Sequence, residues 1–211
     1  MKFIPRQAVL LLMAVSFSSF AAAIEKPEYE VILVDGAIEY RRYESFIIAE
    51  TNIVAAENWK EASNEGFRRL FNYITGDNNG EEKIAMTAPV QQSKIQAEDV
   101  RFNQAEPLSE GKGWKVSFML PSSYSMVDAP APEDERIRLR LVPEKLVAAI
   151  RYSGRWTTRN FDKYESRLMT ALTAANIVTL GAPETAFYNP PFVPPFMRRN
   201  EILVEVASPP S

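Results

Sequence analysis

The sequence predicts an α+β domain built from a strand-strand-helix-strand-strand unit that occurs twice. The two copies form a distorted antiparallel β-barrel or curved sheet with two helices packed on it. Three observations carry this reading. Apolar residues recur at helical spacing in two long stretches that begin about 100 residues apart. Each stretch lies between pairs of β-rich segments, and a proline-broken segment follows each helix, Pro89 after the first and Pro190 after the second.

Tyr29 to Val34 alternates as a strand, and Asp35-Gly36 is a turn signal. Ile38 to Val54 resumes with Tyr40, Tyr43, Phe46, Ile47, Ile48, Thr51 and Ile53, enough for two strands, the second long or bent. The first helix is expected from Asn58 to Thr75. Its stripe is Trp59, Ala62 or Ser63, Gly66, Phe67, Leu70, Phe71 and Ile74, with Lys60, Glu61, Asn64, Arg68, Arg69 and Asn72 on the other faces. Gly76 suits the residue after the helix, and Asp77-Asn78-Asn79-Gly80 is a turn cluster. Lys83 to Gln92 reads as a strand stopped or bulged by Pro89. A polar stretch from Ser93 to Gly113 leads into a strand from Trp114 to Leu120.

Ser122 to Asp134 is a connector, and Glu133-Asp134-Glu135 reads as a solvated acidic turn in preference to a cation site. The second copy follows. Ile137 to Val142 and Leu146 to Tyr152 are strands, and a helix from about Asn160 to Asn176 carries the stripe Phe161, Tyr164, Leu168, Leu172 and Ala175. Thr185 to Tyr188 begins a strand that enters Tyr188–Val206, YNPPFVPPFMRRNEILVEV. Pro190, Pro191, Pro194 and Pro195 make a stiff extended run that can be neither helix nor central strand. It carries Phe192, Val193 and Phe196, then turns through Met197-Arg198-Arg199-Asn200 into a last strand with Ile202, Val204 and Val206 on one face. A rigid apolar loop feeding a half-buried strand is either a lid over a cavity or a clamp across a core.

The chain has 211 residues, a formal net charge of −3, and neither His nor Cys. Ser-His and Cys-His catalysis, an imidazole metal site and a disulfide are therefore beyond it. The acidic balance argues against nucleic acid and against an anionic membrane as partners. Glu25, Glu28, Glu44, Glu50, Asp162 and Glu165 show no spacing that pairs two carboxylates, so the expected class is a binding protein and no enzyme. At the N-terminus, Lys2 and Arg6 precede an apolar core from Ala8 to Phe17 and the small residues Ala21-Ala22-Ala23. Residues 1–23 read as a signal peptide and 24–211 as one domain, periplasmic or secreted, with no integral membrane span after cleavage. A retained anchor is the alternative, although the core is short against the roughly 20 apolar residues of a spanning helix.

IAMTAPV at Ile84–Val90, FMLPSSY at Phe118–Tyr124, GRW at Gly154–Trp156 and YNPPFVPPFMRRNEI at Tyr188–Ile202, in this order and spacing, resemble the SOUL haem-binding proteins over nearly the whole chain after residue 23. The resemblance implies a duplicated βαβ-type barrel, similar to the ligand-binding domains of some bacterial drug-sensing regulators. It also implies non-covalent binding of haem or another tetrapyrrole at an apolar surface beside the first helix, without catalysis. Some relatives hold iron through a His, which this chain lacks. Others use apolar contact and cations near the propionates. A basic position of those relatives falls on Asn64, a Met position on Phe67 and a Lys position of the proline loop on Val193; Arg68 or Arg69 could substitute for the missing cations.

The expected ligand-binding residues are thus Asn64, Phe67, Arg68, Phe71, Met86, Phe192, Val193 and Phe196, with no metal ligand assigned. Other readings stand beside these. Phe67, Leu70, Phe71 and Ile74 either cradle a porphyrin or pack on the sheet. Met86, Met119, Met169, Met197, Tyr73 and Tyr188 are soft or phenolic iron donors, or core. Arg198 and Arg199 either meet propionates or pair internally with Glu201. Trp59 and Trp156 are core or pocket wall. The competing binding function is a carrier or scavenger of another flat or amphipathic small molecule.

Overall fold

The computed structural model describes residues 24–54, 56–95 and 113–210. The chain forms β1 (Tyr29–Asp35), β2 (Ile38–Tyr43), β3 (Phe46–Ile53), α1 (Trp59–Thr75), β4 (Val90–Lys94), β5 (Trp114–Met119), β6 (Ile137–Val142), β7 (Lys145–Tyr152), α2 (Thr158–Ala174), β8 (Glu184–Phe187) and β9 (Asn200–Glu205). All nine strands join one antiparallel sheet in the order β1-β2-β7-β9-β8-β4-β5-β3-β6.

That order contains the duplication in a form that strand counting does not reveal. Taken outward from the central pair β8 and β4, one half runs β8-β9-β7-β2 and the other β4-β5-β3-β6. The first strand of each unit has crossed to the other: β2 pairs with β7, and β6 pairs with β3. Strand β1 is an addition at the edge, held to β2 through the Asp35-Gly36 turn, where Gly36 has φ 59. Each unit is thereby stitched to its twin by a full ladder, so neither half closes its sheet alone.

Local chemistry sets the helix ends. The Asn58 side chain accepts the Lys60 and Glu61 N–H groups at the start of α1, and Gly76 closes it at φ 135. Helix α2 begins two residues before the expected Asn160 because Thr157 is its cap, accepting the Asn160 N–H. The expected strand Lys83–Gln92 is corrected. Pairing begins only at Val90, since Pro89 has no N–H and the Ala88 N–H is donated to the Glu25 carbonyl at 2.9 Å. Most of the polar stretch Ser93–Gly113 lies outside the described residues.

Each helix covers one half of the same sheet face. Leu70, Tyr73 and Ile74 of α1 pack on Ile47, Ala49, Val116 and Phe118, whereas Phe161, Leu168 and Leu172 of α2 pack on Tyr40, Ala148, Ile150, Ile202 and Val204. Helix α1 approaches β5 closely enough that a Cβ at Gly66 would lie 2.5 Å from Val116 Cγ2. On the other face a smaller cluster of Tyr43, Val147, Ala149, Ala186, Tyr188 and Leu203 surrounds a buried ion pair. Arg41 donates to both oxygens of Glu201, at 2.7 and 3.0 Å, and both residues are almost wholly buried. Such a pair stays charged only because the fork geometry and further bonds replace lost water.

A candidate apolar groove at the seam between the two units

The groove is made where the two units meet. Its floor comes from the central strands, through Val90 of β4 and Phe187 of β8, with Tyr188 just beyond. One wall is the exposed flank of α1: Trp59, Ser63, Asn64 and Phe67. Met86, Thr87 and Ala88, the irregular run before β4, close another side. Trp156, Asn189, Pro190, Pro191 and Ile24 complete the rim, and the enclosed space is about 320 Å³. This is at the lower end of the range for small-molecule pockets, roughly 300–1,000 Å³, so a large flat ligand would keep one edge in water.

The lining is aromatic and ordered by ring packing. Trp59 stacks on Phe187 at 5.9 Å and meets Phe161 edge-on at 4.6 Å; Trp156 meets Phe187 edge-on at 5.2 Å. Phe67 is braced by the Phe118 edge at 5.3 Å. These contacts hold the rings in place before any ligand arrives, which reduces the ordering cost of binding. No Lys, Arg, Asp or Glu is part of the lining among the described residues.

Polar groups act from behind the walls. Trp156 Nε1 donates to Asn200 Oδ1 at 2.8 Å, and Arg198 lies 4.4 Å from the Trp156 ring centre on its loop side. Arg198 also donates to the Val193 and Pro191 carbonyls, at 2.8 and 2.5 Å, locking the proline loop. Arg199 stacks over Tyr188 at 4.0 Å, donates to Glu201 at 3.0 Å, and reaches the Tyr29 hydroxyl at 3.3 Å. Tyr188 in turn donates its O–H to Glu201 at 2.9 Å. Burial pushes the Glu201 carboxyl up, but Arg41 and Arg199 outweigh it and hold its pKa below the ordinary carboxylate value. Burial pushes the Tyr188 phenol up, so it remains a neutral donor.

Among the expected site residues, the structure brings together Asn64, Phe67 and Met86. Arg68, one turn beyond Asn64, lies outside the lining and pairs with Glu65, and Phe71, also outside it, stacks on Phe67 at 5.7 Å. Phe192 and Phe196 point outward, 85% and 78% exposed, and Val193 is half-buried outside the lining; the two prolines before Phe192 form the rim instead. Arg199 pairs internally with Glu201, whereas Arg198 is held by the Pro191 and Val193 carbonyls of its own loop and not by Glu201. The alternatives for the helix stripe both occur: Leu70 and Ile74 pack on the sheet while Phe67 faces the groove. Trp59 and Trp156 are pocket wall. Phe187 was missed, and only the period-2 alternation of its strand separates its face from that of Tyr188.

Of the soft and phenolic donors, Met86 and Tyr188 reach the groove. Met119 is buried, Met169 of α2 packs half-buried against the core beneath its helix, Met197 is exposed, and Tyr73 donates to the Pro130 carbonyl at 2.9 Å. In the acidic turn, Asp134 is held by Arg136 and Arg69. Among the described residues no three His, Cys, Asp or Glu side chains converge as a metal site.

The two helices and the nine-strand curved antiparallel sheet define an α+β fold. The C-terminal domain of EcmrR shares it at 10% identity, with a TM-score of 0.51 over 86% of this chain and 99% of that one. So does a hydrolase from Listeria innocua, at 8% identity and a TM-score of 0.51 over 83% and 94%. At such identity these likenesses show the fold alone. The SOUL heme-binding protein family matches residues 24–205, and the chain belongs to that family. Heme-binding protein 1 of Xenopus laevis is 27% identical over 166 residues, covering 79% of this chain and 82% of the relative; that of Xenopus tropicalis matches to the same extent.

Proposed function

We propose that the protein is an exported, non-enzymatic binding protein that holds haem or a related tetrapyrrole in the seam groove, without an imidazole ligand. The observation that carries this is the groove's uncharged aromatic lining, with Trp59, Phe67, Trp156 and Phe187 presenting ring surface to one space. Family membership and the Xenopus relatives point to the same ligand class.

The residues fit the flat apolar body of a tetrapyrrole. They fit its iron and propionates less well: the thioether of Met86 is a weak donor, the Tyr188 hydroxyl is engaged by Glu201, and the lining holds no cation for a carboxylate. Binding would therefore rest on apolar area, at roughly 25 cal/mol per Å², with propionates turned to water. The same lining suits a less charged flat molecule, which keeps a carrier of another amphipathic compound as the second reading. Against catalysis stands a chain without His or Cys and a groove lined without carboxylates. Export rests on the basic, apolar and small-residue segments of residues 1–23.

The test is a titration of residues 24–211 with hemin and, separately, with metal-free protoporphyrin IX, read by Soret absorbance and by quenching of tryptophan fluorescence. Saturable one-to-one binding of both, with affinities within about tenfold, is expected of a site that needs no iron bond. Absence of saturable binding of either would overturn the reading; binding of hemin alone would overturn its ligand-free-iron feature.

A further inference from the structure

The proline loop has a second apolar surface that the groove does not use. Phe192, Phe196 and Met197 project from it, 85%, 78% and 65% exposed. They stand on a backbone that is internally satisfied. Four of its residues are prolines without an N–H, the Val193 and Met197 N–H groups close turns onto Pro190 and Pro194, and Arg198 covers two of its carbonyls. A protein partner adding a strand would find few free backbone groups there. A lipid surface, which penalises every unpaired backbone group, would find few to desolvate. Gly154 donates to the Pro195 carbonyl at 2.9 Å, which sets the exposed Arg155 beside the loop, where it can meet a headgroup phosphate.

We infer that this loop is a lipid-docking element, inserting Phe192, Phe196 and Met197 at the headgroup–acyl boundary of a bilayer. Pro190 and Pro191 belong both to the loop and to the groove rim, so docking turns the groove mouth toward the lipid. Ile24, half exposed on the same rim, adds another apolar side chain there. Among the described residues no helix is long and apolar enough to cross a membrane, and none is needed for peripheral insertion. The chain's acidic net charge makes apolar insertion, with a local arginine, the driving contact instead of attraction to anionic lipid. The inference stands on the loop and not on the haem reading.

Flotation of residues 24–211, which contain every described element, with phosphatidylcholine vesicles tests it without hemin. The parent chain is expected to float with the vesicles. Phe192→Ser combined with Phe196→Ser should lower its partitioning by roughly tenfold or more. Val178→Ser, which removes a 62% exposed side chain at the far end of β9, should leave partitioning unchanged. Phe192→Trp should be quenched by lipids brominated near the headgroup. A parent that does not float, a double variant that floats equally well, or a double variant that instead dissolves a dimer formed without lipid would each overturn the inference.

Discussion

Replacing Phe67 by serine separates a ligand-facing ring from one that is merely exposed. Phe67 lines the groove with 38% of its surface open, while its remainder packs on Phe71 and Phe118. A phenylalanine carries roughly 200 Å². The open part is then about 75 Å², and covering it with a flat ligand at ~25 cal/mol per Å² contributes about 2 kcal/mol. The substitution should weaken hemin binding by roughly 25- to 30-fold. Phe71, 44% exposed but on the outer side of the stack, provides the control. Phe71→Ser should change affinity by less than about threefold, and so should Phe192→Ser, although Phe192 is the most exposed of the three. Affinities come from Soret titrations, with thermal melts confirming that each variant is folded. Equal losses for Phe67→Ser and Phe71→Ser would refute the placement of the ligand in the seam groove, because exposure and not orientation would then predict binding.

Four further outcomes follow from the same geometry. Met86→Ala should leave the hemin spectrum and affinity nearly unchanged, within about threefold; a loss of the bound-state Soret position would assign iron to the thioether. Gly66→Ala gains helix propensity of about 1 kcal/mol, yet its methyl would meet Val116 Cγ2 at 2.5 Å and Val116 Cβ at 2.6 Å, so net destabilisation of roughly 1–3 kcal/mol by urea unfolding is expected, and Val116→Ala, which keeps Cβ, should not relieve it. Arg41→Ala removes the bidentate partner of buried Glu201, leaving it Arg199 and the Tyr188 hydroxyl, and should cost about 3 kcal/mol, whereas Arg42→Ala, exposed one residue on, should cost less than ~1. The acid limb has a fixed sign. Glu50, penalised by burial but held down by Arg140, Lys115 and Arg138, and Glu201 both have native pKa values below the unfolded value of about 4.3. Their contribution is complete above that value and is lost as pH falls through the lower native values, so the urea midpoint should be flat from neutrality to about pH 5 and drop steeply below pH 4.

The elements were legible because their signals are local. Asn58 and Gly76 bracket one apolar stripe, Phe161, Tyr164, Leu168 and Leu172 mark the other, and the alternation of Ile202, Val204 and Val206 names a strand without reference to any neighbour. The duplication was legible because two such units recur in the same order, and Arg199 carried an internal partner in Glu201 two residues on. Partners distant in the chain could not be read. Nothing in β2 or β6 announces that each crosses to the other unit, since every strand has the same period and pairing partners are chosen by the whole sheet. The crossing places β4 beside β8, and only that adjacency brings Trp59 and Phe67 of the first unit against Trp156 and Phe187 of the second. Phe192 and Phe196 were expected in the groove because they are apolar and neighbour its prolines. The Arg198 bonds to Val193 and Pro191, in a loop of fixed proline φ angles, turn both rings outward. Residue types and short-range order were thus determined by the sequence itself. Which faces meet across the seam, and which rings face water, were decided by tertiary packing, because side-chain direction depends on contacts between residues far apart in the chain.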